Sequence, residues 1–156
     1  MINYRELKLD EFPALAKLRW IFQAEENKAL AEEAERPFLE NCVAMLKSPQ
    51  FLRQFTHFGA FDKDVLVSMA SVNRISMIPR PGREVDEYGY LTNMYTIENY
   101  RGQGIGTELL KHIKEWASLQ NFELLLAWPS EKSISFYQMA GFEKNNQPWI
   151  LTLREY

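Results

Sequence analysis

The apolar positions change rhythm along the chain. Ile2 to Leu7 reads as a short strand, and beyond Asp10, a residue suited to an N-cap, Leu15, Leu18 and Phe22 recur at helical spacing. Pro37 opens a second helical stretch, in which Leu39, Val43 and Leu46 keep that spacing until Ser48-Pro49 ends it. From Phe55 the pattern turns to strands, Phe55 to Phe61 and Val65 to Ile78, joined by the polar turn Asp62-Lys63-Asp64 as an antiparallel hairpin. Pro79 to Glu87 carries two prolines, Gly82 and five charges and reads as a loop, after which Tyr88 to Ile97 supplies another long strand. The rhythm then becomes glycine-rich turn, helix (Gly104 to Leu119), strand (Glu123 to Trp128), helix (Ser130 to Ala140) and strand (Trp149 to Arg154). A crossover that short sets two neighbouring strands parallel within an otherwise antiparallel sheet.

The helix after the glycines is the clearest element. Leu109, Leu110, Ile113, Trp116 and Ala117 form one stripe that reads as core, with Lys111, Lys114 and Glu115 outside it. His112 lies off the stripe and reads as a solvated or edge histidine.

Composition narrows the function classes. The 156 residues suit one domain, 1–156, with no low-complexity stretch, repeat or linker dividing them. The net charge of −3 lacks the basic footprint of a nucleic-acid binder, so nucleic acid is not an expected partner. Cys42 is the single cysteine and His57 and His112 are the only histidines, so no Cys/His zinc cluster and no intrachain disulfide are expected, and a reducing cytoplasm is the natural compartment. The residues after Met1 turn polar at once, and the longest apolar run, Leu124 to Trp128, is far short of a membrane span; no membrane partner is expected.

Chemistry enters at Arg101-Gly102-Gln103-Gly104-Ile105-Gly106-Thr107, between a strand and a helix. Its glycines permit backbone conformations that side chains block, and its amides face outward at a positive helix end. Such a turn can cradle a phosphate or pyrophosphate, or it can simply be a tight turn. A P-loop is excluded because no Gly-Lys-Ser/Thr follows. A dinucleotide fingerprint fits poorly: the third glycine comes one residue early, more than half the chain precedes it, and Glu123 opens its strand rather than closing it.

Two motifs together are more specific. Arg101-x-x-Gly104-x-Gly106 is followed about 25 residues on by Ser130-x-x-Ser133-x-x-Phe136-Tyr137-x-x-x-Gly141-Phe142. The first is similar to the Q/R-x-x-G-x-G/A motif of the GNAT superfamily of acyl-CoA N-acyltransferases. The second resembles that family's N-x-x-A-x-x-L-Y-x-x-x-G-F segment, with Ser130 and Ser133 in place of asparagine and alanine. The resemblance implies a GNAT-like α/β fold: a mostly antiparallel mixed sheet with one parallel pair splayed at the cofactor site and helices on both faces.

It also implies acetyl-CoA as co-substrate, with the amides of Arg101, Gly102, Gln103, Gly104, Ile105, Gly106 and Thr107 receiving the pyrophosphate. Met94, Tyr95 and Thr96 would pair through their backbone with the pantetheine arm in the splay, the Thr96 amide polarising the thioester carbonyl. Ser130, Ser133 and Phe136 would complete the binding surface, Ser130 making a shorter reach than an asparagine. By the same resemblance Tyr137 would be the acid that protonates the departing thiolate. For the general base the choice lies among Glu87, Asp86, Glu25, Glu26 and a water placed by Asn93 or Tyr90, with Glu87 first. The implied reaction is acetyl transfer to a primary amine of a small molecule or peptide. Trp20, Phe55 and Trp128 could line the acceptor site, and Arg80 and Arg83 could draw an acidic acceptor. The alternative is a module of the same fold that binds an acyl-CoA or a partner without turnover. The aromatic content and an exposed final strand suggest a homodimer.

Overall fold

The computed structural model describes residues 1–144 and 151–153. Strand β1 (Ile2–Glu6) leads through a short 3₁₀ turn into helix α1 (Phe12–Glu26), followed by α2 (Glu35–Leu46) and α3 (Pro49–Gln54). The hairpin β2 (Phe55–Asp62) and β3 (Val65–Ser76) comes next, then β4 (Glu87–Thr96), α4 (Ile105–Leu119), β5 (Leu125–Ala127) and α5 (Ile134–Met139). The strands form one sheet in the order β1-β2-β3-β4-β5. All neighbours are antiparallel except β4 and β5, which run parallel across the α4 crossover.

The two faces of the sheet bury different sets of residues. One face carries Phe61, Leu66, Met69 and Tyr95 against Phe12, Leu15 and Leu18 of α1 and Leu46 of α2. The other carries Phe58, Ala70, Val72 and Leu91 against Leu109, Leu110 and Ile113 of α4 and Tyr137 of α5. Each fully buried Leu or Ile contributes roughly 1.5–3 kcal/mol, so the α4 stripe is what fixes that helix to the sheet. His112 sits half-buried beside it with its ring edge-on to Phe58.

Several boundaries differ from the sequence reading for local reasons. Asp10 does not cap α1; it lies within the 3₁₀ turn Leu9–Glu11, where the Lys8 amide donates to Glu11 Oε2 at 2.7 Å, and the helix begins at Phe12. The second helix starts at Glu35, leaving Pro37 inside its first turn. Ser48-Pro49 closes α2 but also opens α3: Ser48 Oγ accepts from the Phe51 amide at 3.4 Å, and a proline without an N–H suits a first helical turn. The strand expected over Glu123 to Trp128 shortens to Leu125–Ala127, and the helix expected from Ser130 begins at Ile134 after a 3₁₀ turn. Of the strand expected at Trp149 to Arg154, residues 149, 150 and 154 lie outside the described residues. Leu151 to Leu153 are exposed and in no regular structure.

The loop after β3 is tied down by its own charges. Arg80 Nε holds the buried Asp86 at 2.9 Å, while Arg80 and Arg83 each reach Glu123 at 2.6 Å. These arginines are therefore occupied by internal carboxylates rather than presented to a ligand.

Candidate active site

Parallel pairing of β4 with β5 stops early. It runs from Gly89↔Leu125 to Leu91↔Ala127, and Thr92 to Thr96 have no partner on that side among the described residues. On the other side β4 stays on β3, but with a bulge: Ser71 opposes Thr92 and Met69 opposes Tyr95, so Ala70 faces both Asn93 and Met94. Asn93 absorbs the extra residue at φ 56°, a left-handed conformation that asparagine tolerates better than most side chains. The consequence is a change of phase. Leu91 packs toward α4, yet Tyr95, four residues on, packs toward α1 and stacks on Phe22 at 5.0 Å. Met94 and Thr96 are turned the other way, against Gly106 of α4.

Backbone direction follows the same phase. The Ile97 amide donates to Val67 O on β3 at 3.1 Å, so strand alternation turns the Thr96 amide away from β3 and into the splay. Side chains pin this half-strand: Ser68 Oγ donates to Tyr95 O at 2.9 Å and lies 2.8 Å from Thr96 Oγ1, while Arg101 Nε donates to Thr96 O at 2.8 Å.

The glycine turn stands at the mouth of the splay. Gly102 and Gly104 take φ 73° and 77°, and a Cβ built on either would meet nothing within 4 Å, so the space above them is open. Gly104 is the N-cap of α4, which leaves the amides of the first turn without intrahelical acceptors. Ile105 anchors that turn in the core with Ala60 and Val67. Gln103 bonds back to Asn99 O at 3.0 Å, and Thr107 stays exposed. A Cβ on Gly106 would come within 3.6 Å of Met94 and Phe136 and 3.5 Å of Thr96, so cradle, strand and α5 converge at this residue.

Tyr137 is brought to the same place. It is buried, packed edge-on against Phe136 and Phe142, and its hydroxyl has no hydrogen-bond partner among the described residues. Burial, and then the neighbouring Tyr90 phenol, push its pKa up, which keeps it protonated. Ser130 caps the preceding 3₁₀ turn and Ser133 ends it, their hydroxyls 3.0 Å apart.

Arg101 has a second role that spacing alone does not reveal. Its Nη2 holds Glu25 at the end of α1 at 2.6 Å, and the Tyr95 hydroxyl donates to the other Glu25 oxygen. Burial and then the Glu25 carboxylate push the Tyr95 phenol up to about 12. Burial opposes ionisation of Glu25, but the bonds from Tyr95 and Arg101 outweigh it and hold the carboxyl below its usual range.

Glu87 is not with this group. It begins β4, seven residues and roughly 23 Å of extended chain before Met94. It is ion-paired to Arg74 at 2.5 Å, and it shares the face on which Gly89 meets Phe122 and Leu125. Asp86 is likewise committed, to Arg80. Of the aromatic candidates, Phe55 stacks between Phe51 and His57, Trp20 packs on Phe38, and the exposed Trp128 stands edge-on to Tyr90.

Three polar residues on the α1 side were not singled out from sequence. His57 is buried with Nδ1 2.8 Å from Ser71 Oγ, and burial lowers its pKa to about 4, so it is neutral at pH 7. Arg19 donates to Asn93 Oδ1 at 3.3 Å. Asn73 Oδ1 is buried with no hydrogen-bond partner among the described residues. A cavity of about 410 Å³ between α4, α5 and β5, lined by Lys114, Phe122, Leu125 and Phe142 among others, contains none of the candidate site residues.

A family model described as the Acetyltransferase (GNAT) family matches residues 14–142. The chain belongs to this GNAT family. A curated relative, an uncharacterized N-acetyltransferase named YobR from Bacillus subtilis (strain 168), is 29% identical over 90 residues, covering 56% of this chain and 32% of that protein. The chain thus spans about a third of the length of the curated relative it matches. Among solved structures, a predicted acetyltransferase from Clostridium acetobutylicum with acetyl-CoA aligns over 98% of this chain and 97% of its own, at 22% identity and TM-score 0.77. An integron cassette protein from V. cholerae aligns over 99% and 93%, at 16% identity and TM-score 0.80. At such identities these likenesses speak for the fold, and they agree with the mixed GNAT sheet and its single parallel pair. No helix among the described residues is long and apolar enough to cross a membrane.

Proposed function

We propose that this GNAT protein transfers an acetyl group from acetyl-CoA to a primary amine of a small molecule or peptide. The observation that carries the reading is the half-strand Thr92 to Thr96. Among the described residues it is unpaired on one side where β5 departs, it is flanked by the open glycine turn, and its Met94 packs against the cluster that holds the Tyr137 phenol.

The residues present fit acetyl-CoA. Open space above Gly102 and Gly104 and the free amides of the first turn of α4 suit its pyrophosphate, with Arg101, Gln103, Ile105, Gly106 and Thr107 contributing backbone. Met94, Tyr95 and Thr96 offer a strand edge for an extended amide-bearing arm, while Ser130, Ser133 and Phe136 flank it from α5 and its approach. When bound, acetyl-CoA supplies the thioester that carries the acetyl group. The Thr96 amide donates to the carbonyl oxygen as negative charge develops there. Tyr137 gives its proton to the leaving sulfur; a phenol of reference pKa ~10 against a thiol of ~8.5 makes this uphill by at least ~2 kcal/mol, small beside a chemical barrier. Glu87, paired to Arg74 at the start of β4, is not assigned as a base: the amine enters neutral, on the α1 side of β4, and the proton its nitrogen loses as the amide forms passes through water to the Tyr137 phenolate left by donation to sulfur.

Two measurements test the proposal. Acetyl-CoA at about one hundred times its dissociation constant should stabilise the protein by ~2.7 kcal/mol, seen as a thermal shift. Thiol release should then be seen with members of an amine panel. Absence of any shift removes acetyl-CoA from the reading, and a shift without thiol release from any amine favours the non-catalytic module.

A further inference from the structure

Arg19 stands apart from the other arginines. Arg5, Arg36, Arg74, Arg80, Arg83 and Arg101 each hold a carboxylate. Arg53 is exposed, whereas Arg19 is half-buried under α1 and forms no salt bridge among the described residues. Its one hydrogen bond among the described residues is the long 3.3 Å contact to Asn93 Oδ1, and its guanidinium lies 5.4 Å from the Phe22 ring centre. Burial pulls its pKa down, with Glu26, Cys42 and Tyr90 close enough to oppose this. A guanidinium withdrawn from water without a carboxylate is costly, and a planar fork is suited to receiving two anionic oxygens.

Position gives this cation a use. Asn93 is the bulge residue, so Arg19 touches β4 just where the strand leaves its pairing with β5. Asn73, cross-strand from Tyr90, has its Oδ1 buried without a hydrogen-bond partner among the described residues; as an acceptor it suits the N–H end of an amine rather than an anion. We infer that the acceptor is a primary amine bearing its own anionic group, a carboxylate or phosphate, and that Arg19 receives that group on the α1 side of the Asn93 bulge. The inference rests on the acetyltransferase reading and deepens it to a substrate class.

Product binding tests this without requiring turnover. Calorimetry on CoA-saturated protein would compare N-acetylglycine with N-acetylglycinamide, and N-acetyl-O-phosphoethanolamine with N-acetylethanolamine. At least one anionic member should bind about tenfold or more tightly than its uncharged counterpart, ~1.4 kcal/mol, and which pair shows it separates carboxylate from phosphate. Arg19→Gln should bring that ratio to within about twofold of one while keeping the acetyl-CoA thermal shift, which also reports a folded protein; Arg19→Lys should keep part of it. Equal binding of charged and uncharged members, no binding of either anion, or a preference that survives Arg19→Gln overturns the inference. Failure of the acetyl-CoA shift in the unaltered protein would instead overturn the acetyltransferase reading.

Discussion

The two halves of β4 are built from similar residues and do different things. From Gly89 to Leu91 the strand is paired on both sides, and the charge of Glu87 just before it is spent on an internal bridge to Arg74. From Thr92 to Thr96 one edge is open, and the side chains of Ser68 and Arg101 hold the backbone where a fifth strand would otherwise do so. Asn93 divides them. One extra residue in a left-handed turn reverses the facing of everything after it, so Tyr95 meets α1 while Met94 and Thr96 meet the glycine turn. Which backbone edge is open along a strand is thus decided by what stands opposite, more than by residue type.

This contrast can be broken most severely at the cradle. Gly104→Val places a β-branched side chain at φ 77°, costing roughly 1–3 kcal/mol in a urea melt, and fills the open space above the turn. The ~2.7 kcal/mol of stabilisation by acetyl-CoA should vanish; an undiminished thermal shift would mean the phosphates lie elsewhere. Next comes Tyr137→Phe, expected to lower kcat by about a hundredfold or more while changing acetyl-CoA affinity less than threefold. An unchanged kcat would take Tyr137 out of the chemistry.

A smaller effect probes the divide itself. Asn93→Ala and Asn93→Gly both lose the bonds to Arg19 and Met69, but only alanine resists φ 56°. The alanine variant should be the less stable by ~1 kcal/mol, and equal urea midpoints would show that the bulge relaxes. Smallest of all should be Glu87→Gln in the paired half: kcat within about twofold of the parent and a loss under ~1 kcal/mol, the scale of a single ion pair near the surface. A collapse of kcat there would restore Glu87 as the base.

Much of this architecture is legible in the residues. The α4 stripe, the β2–β3 hairpin and the crossover that makes β4 and β5 parallel follow from periodicity and turn chemistry. So does the glycine turn, because positive φ leaves a mark in composition. The bulge is harder, since Thr-Asn-Met carries no glycine or proline and only the asparagine hints at a left-handed residue. Ser48-Pro49 is ambiguous for a physical reason: the pair that cannot continue one helix is well suited to start another. Membership of a strand says nothing about which end or face a residue occupies, and so Glu87 stands at the start of β4, paired to Arg74, away from the open half-strand. Arg19 and the Glu25–Arg101 pair were missed because their partners lie 74 and 76 positions away.

That last pair gives the molecule an internal communication line. Glu25 lies in the last turn of α1, beside which the amine is expected, and Arg101 opens the turn expected to take the nucleotide. A ligand that displaces or tightens Arg101 alters the hold on the end of α1, and a ligand ordering α1 alters Arg101 in return. By linkage the two effects must be equal in free energy, so the affinity of either substrate should depend on whether the other is already there.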